Sequence, residues 1–170
     1  MSYADPFSFV IGKLWDAIEA NTNFKTLVSA ANRIKIDAGF KPFKSTLTEA
    51  SVPEVTILPA GKRLFEENPC NGATITQVVH ITVSSGLRNT SRIFPTEWRI
   101  IQAIYTAIND NTDCILDEKW ESYKIIKQIT PLPIEEGMTY DDLNKELIGW
   151  ACILPLEIKL FLPSSLLGLS

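Results

Sequence analysis

Histidine is nearly absent from this 170-residue chain, where His80 is the one example, and cysteine occurs three times, at Cys70, Cys114 and Cys152. A single histidine cannot build a His-based metal site. Three cysteines that are odd in number and far apart, with no C-x-x-C pair, argue against a disulfide framework and a zinc knuckle. Basic runs are missing too. The net charge is −4, with lysine and arginine scattered, so no stripe suited to nucleic acid or anionic lipid is expected. No Gly-x-x-x-x-Gly-Lys loop occurs, and Ser84-Ser85-Gly86 lacks the flanking glycine of a nucleophile elbow. The N-terminus has no basic segment leading into an apolar one, so no signal peptide is expected. The longest apolar stretch, Leu147 to Leu162, carries Pro155, Glu157 and Lys159 and is too short and too charged to span a bilayer.

What remains is ordinary globular material, 45% apolar and 21% charged, enough for one domain with its own core across residues 1–170. Asp5-Pro6 reads as an N-cap followed by proline at the first helical position. Phe7, Val10, Ile11, Leu14, Trp15 and Ile18 then recur at helical spacing, which predicts a helix buried on one side. Asn21-Thr22-Asn23 breaks or re-caps it. Arg33–Ile36 and Glu54–Leu58 alternate as short strands, the second ending in a turn at Pro59-Ala60-Gly61.

The residues from Gly61 to Gly72 read as a polar hairpin loop, and Ala73–Ser85 as a long strand. That strand puts Ile75, Gln77, Val79, Ile81 and Val83 on one face, with Thr74, Thr76, His80 and Thr82 on the other. Pro95-Thr96 opens a second helix with a stripe of Trp98, Ile101, Ile104, Tyr105 and Ile108, ended by Asn109-Asp110-Asn111. Tyr123–Ile129 is a further strand stopped by Pro131 and Pro133, and Thr139–Asp142 has the form of a capping box. From Gly149 the period returns to two, with Trp150, Cys152, Leu154, Leu156, Ile158, Leu160 and Leu162 aligned. Pro155 predicts an edge or a bulge in that strand.

The expected fold is therefore α+β: a mixed, mainly antiparallel sheet of four or five strands with two main helices on one face. Residues 163–170 form a C-terminal tail. Two aperiodic stretches, 37–51 and 130–146, read as loops; Phe40 and Phe43 flank Lys41-Pro42 in the first, which reads either as a docking segment or as a tether. Paired acids at Glu66-Glu67, Glu135-Glu136 and Asp141-Asp142 fall in loops or at a helix start, where solvated carboxylates are the default. The residues name no catalytic, cofactor-binding or metal site, and enzymatic activity is not expected.

Four segments, taken in order, carry a family resemblance. They are Leu14–Val28 within the first helix, Pro53–Gly61 (PEVTILPAG), the long strand Ala73–Ser85, and the isoleucine-rich helix Trp98–Ile108. Gly149-Trp150 entering an amphipathic strand adds to them, although Ile148 stands where a basic residue often precedes that pair. Together the layout resembles the tail terminator, or tail completion and head–tail joining, proteins of long-tailed bacteriophages. The resemblance implies a ring of six copies that caps the tail tube, ends its polymerisation and joins the tail to the head. Its neighbours would be the tail tube protein on one side and a head-completion or neck protein on the other. DNA would pass through the lumen without specific binding, and the location would be the virion after synthesis in the host cytoplasm.

On that reading Phe40 and Phe43, with Leu166, Leu167 and Leu169 of the tail, are candidates for contacts between subunits or rings. The loop residues Lys62, Arg63, Glu66 and Glu67 are candidates for axial contact. The tail leucines have two options, tucking back onto the domain or reaching a neighbour. The alternatives are another neck or connector ring protein, a small cytoplasmic enzyme using loop carboxylates, and a nucleic-acid-binding module.

Overall fold

The computed structural model describes residues 3–35, 53–68, 72–86, 90–140 and 147–167. Helix α1 (Pro6–Ala20) begins where the Asp5-Pro6 signal predicts. The amides of Phe7 and Ser8 donate to Asp5 Oδ1 at 2.9 and 2.8 Å, filling two of the donors that a helix start leaves open. Asn21 then caps α2 (Thr22–Leu27) through the Phe24 amide, at 3.0 Å. Arg33 closes the other end of α2, donating from Nε to Val28 O at 2.8 Å and from Nη2 to Lys25 O at 3.0 Å.

Among the described residues six strands form one sheet: β1 (Arg33–Lys35), β2 (Glu54–Asn68), β3 (Gly72–Gly86), β4 (Ile126–Pro131), β5 (Glu135–Tyr140) and β6 (Leu147–Pro163). Their order is β1-β2-β3-β6-β4, with β5 beside β4 on the same edge of β6. Among these strands β1 and β2 run parallel and the other pairs antiparallel, so the sheet is mixed and mainly antiparallel. Its strand count exceeds the expected four or five because residues 135–140, assigned to a loop, pair with β6 as β5.

Helices α1 and α3 (Thr90–Asp117) cover one face. That face carries Ile75, Val79, Ile81 and Val83 of β3 and Cys152, Leu154, Leu156, Ile158 and Leu160 of β6, all buried against Leu14, Ile18, Ile100 and Ile104. The period-two pattern of the sequence thus marks the core side correctly on both central strands. The fold is α+β as expected.

Several features differ from expectation. Strand β2 does not stop at Pro59-Ala60-Gly61 but continues to Asn68, so the predicted polar loop is half of a strand pair. Two features permit this. Among the described residues β1 covers β2 only from Val55 to Ile57, leaving Pro59 on an edge where no ladder donor is required. A bulge between Ala60 and Leu64, facing Gln77 of β3, absorbs Gly61.

Helix α3 begins at Thr90 rather than Pro95 and runs past Asn109–Asn111 to Asp117. Asn111 Nδ2 donates to Ala107 O at 2.7 Å and Thr112 Oγ1 to Ile108 O at 2.8 Å, so these residues bond back into the helix instead of ending it. Trp98, predicted in the buried stripe, is 58% exposed, and Glu97 takes the inward position at 2%.

Thr139 and Tyr140 are not a helix cap; their backbones pair with Gly149 and Leu147. Finally, β6 is central rather than at an edge. Pro155 O accepts from Leu132 N at 2.9 Å, so its ring nitrogen, on the same side of the strand, faces the connection between β4 and β5. No donor to β3 is lost there.

Candidate functional site

The chain's polar chemistry is dispersed. Among the described residues no group of three or more His, Cys, Asp or Glu is placed to hold a metal ion. His80 sits in a row with Leu58 and Pro155 on the face opposite the helices, partly exposed. Cys152 is buried on the helix-covered face. Burial pushes its thiol up to about 12, and the nearby Glu97 and Glu136 carboxylates add to that; the thiol donates to Glu97. Such a thiol stays protonated at neutral pH and is no nucleophile. The Glu97–Cys152 pair has no signal in the sequence, because a glutamate beside an exposed tryptophan carries no mark of burial.

The features left to make contacts lie at the two edges of the sheet. At the first edge, β2 beyond Ile57 has no further strand beside it among the described residues, and it carries Leu64 57% exposed and Phe65 50% exposed. These two apolar residues lie between the charged Arg63 and Glu66. The bulge turns Arg63 onto α1, its guanidinium carbon 3.7 Å from the centroid of Phe7. At the opposite edge, α3 and the connection from β4 to β5 enclose a groove of about 780 Å³, lined by Tyr105, Ile108, Ile129, Leu132 and Ile134 among others. A smaller and more polar cleft of about 440 Å³ separates α2 from α3, with Arg99 and Gln102 in its wall.

The residues expected to make contacts distribute unevenly. Lys62, Arg63, Glu66 and Glu67 belong to β2, not to a loop, because the strand continues through the bulge. Leu166 packs in a single 3₁₀ turn (Ser164–Leu166), and both it and Leu167 lie partly buried on the domain's own core, the first of their two options. Phe40, Phe43 and Leu169 lie outside the described residues, as does the 37–51 stretch. Sequence reasoning missed the Tyr105–Ile134 groove. Its signal was weak: Ile129, Leu132 and Ile134 alternate with prolines, a pattern that reads as a strand end.

No helix among the described residues is long and apolar enough to cross a membrane. Compared with protein-family models and with curated proteins, the chain matches none.

Proposed function

We propose that this chain is a structural subunit of a phage tail terminator ring, working by contact and not by covalent chemistry. In that role six copies cap the tail tube, stop its growth and offer the surface on which the filled head docks. The tail tube protein lies on one side, a neck or head-completion protein on the other, and DNA crosses the lumen unread.

The observation that carries this reading is the order and placement of the elements. An N-terminal helix, a long β2–β3 pair, a long helix and a final long strand follow one another as the resemblance requires. All the helices pack on one face, leaving both sheet edges without a partner among the described residues. A domain with two unlike open edges suits a closed ring, in which each subunit meets its neighbours through two different surfaces.

Immunogold electron microscopy of the source lysate tests it, using antibody raised against this chain. Label at the head–tail junction of tailed particles is the expected result. A soluble, plentiful chain with no label on any particle overturns the reading.

A further inference from the structure

We infer that the segment 39–48 of one copy of this chain docks in the groove between α3 and the β4–β5 connection of the next copy, its phenylalanines on the apolar walls and its lysines against an acidic rim. The inference rests on the ring-subunit reading and names the two unlike surfaces by which neighbouring subunits meet.

The groove sets the chemistry of its occupant. Tyr105, Ile108, Ile129, Leu132 and Ile134 supply apolar walls to a space of about 780 Å³, and Ile134 is 37% exposed. Asp110 lines the α3 bank and Asp113 stands one turn further along that helix, both exposed. On the other bank Glu135 and Glu136 follow Ile134 directly and are exposed as well. Among the described lining residues none is basic. An apolar recess between two acidic banks calls for a segment that is apolar and basic at once.

The chain carries such a segment. Residues 39–48 (GFKPFKSTLT) hold Phe40, Phe43 and Leu47 together with Lys41 and Lys44, and no acid, in a chain whose net charge is −4. The two phenylalanines are three residues apart, and so are the two lysines. Bound with three residues per turn, the extended course that Pro42 favours, the segment turns both rings to one side and both ammonium groups to the next.

The strand register puts donor and acceptor surfaces level. Lys35, where β1 ends, pairs with Ile57, Ile57 with Ile81 and Ile81 with Leu154. Beyond β6, Pro131 pairs with Leu156 and Glu135 with Ile153, so the connection 132–134 stands at the level of Leu154. The point where the chain leaves β1 and the wall of the groove therefore share one row at opposite edges of the sheet. A second copy shifted sideways without being turned over brings the first against the second.

Reach decides between a copy's own groove and its neighbour's. The four strand spacings from β1 to β4 take about 19 Å, before any detour around the sheet or over the helices. The five residues from Lys35 to Phe40 span at most about 18 Å. Phe40 falls short of its own groove, so the occupant comes from a second copy.

Analytical ultracentrifugation of the full chain tests the exchange with a Phe40→Ser, Phe43→Ser variant and with Ile134→Asp, each checked for folding by circular dichroism. The wild type is expected to associate and each variant alone to sediment as a monomer. An equimolar mixture of the two is expected to yield a species of twice the monomer mass, because one keeps the groove and the other the segment. Reversing charge by Lys41→Glu with Lys44→Glu is expected to weaken association about tenfold, and adding Asp110→Lys with Glu136→Lys to restore it. Folded variants that keep the wild-type mass, or a mixture that stays monomeric, overturn the exchange, as does a wild type that is monomeric at every concentration. The ring reading is decided separately, by the position of the immunogold label.

Discussion

Arg63 lies over Phe7, its guanidinium carbon 3.7 Å from the ring centroid, and so ties the bulge of β2 to the first turn of α1. The same guanidinium acts on Asp5, the residue that caps this helix. One exposed side chain on the sheet edge therefore supports a helix start through ring stacking and charge. Replacing Arg63 by alanine is expected to destabilise the fold by about 0.5–1 kcal/mol, the scale of an exposed cation–π contact. Urea unfolding at neutral pH measures it.

Asp5 supplies a stability term that depends on pH. Burial pushes its carboxyl up, but the Ser8 amide and hydroxyl, the Phe7 amide and the Arg63 charge outweigh that and hold it below the ordinary value of 3.8. A lowered folded-state value means the unfolded chain binds more protons in this window. The contribution is thus present above about pH 4 and lost as pH falls through the folded value. Asp5→Ala is expected to cost about 1 kcal/mol at pH 7. The gap from wild type should shrink toward pH 2 in a series of urea melts, and a gap independent of pH would contradict this.

Gln77 points into the core from the middle of β3, 1% exposed, and among the described residues neither its amide nitrogen nor its amide oxygen has a hydrogen-bond partner. It faces the bulge of β2, where the ladder is interrupted. An unsatisfied buried amide costs about 1–3 kcal/mol, so Gln77→Met, close in shape and without the amide, is expected to raise stability. A rise in the urea midpoint with an unchanged slope is the expected signature.

Cys152 should resist thiol reagents. In a Cys70→Ser, Cys114→Ser variant, no thiol is expected to react in the folded protein at pH 8 and one after unfolding. Burial first, then Glu97 and Glu136, raise this thiol from 9.0 to about 12. The sign is opposite to that of Asp5: the folded state holds the proton longer, so this contribution is complete below pH 9 and is lost as pH rises toward 12. Rapid labelling of the folded variant would contradict the assignment.

Gly72, where β3 begins, has φ +140°, and a Cβ there would strike the carbonyl oxygen of Leu162 and lie 2.8 Å from Pro163 Cα. Both obstacles are backbone, so side-chain motion cannot relieve them. Gly72→Ala is expected to destabilise by at least about 1–3 kcal/mol, from backbone strain alone. Thermal unfolding followed by circular dichroism checks it.

These residues also mark how far the sequence could be read. The Asp5-Pro6 start of α1 and the core face of β3, Gln77 included, were legible because cap chemistry and period two act over a few neighbouring residues. The reach of β2 was not, since Pro59 and Gly61 punctuate a turn unless an open edge and a bulge accommodate them. The length of α3 was hidden for a similar reason: Asn111 and Thr112 read as a stop, but their side chains bond carbonyls one turn back. The row that runs through Phe65, Ile75, Leu160 and Ile126 exists only through the register of four strands. No local pattern encodes that relation.

Negative-stain electron microscopy of the purified chain tests the central claim most directly. The account predicts closed rings of constant copy number with a central opening. Monomeric particles at every concentration, or filaments that never close, would contradict it.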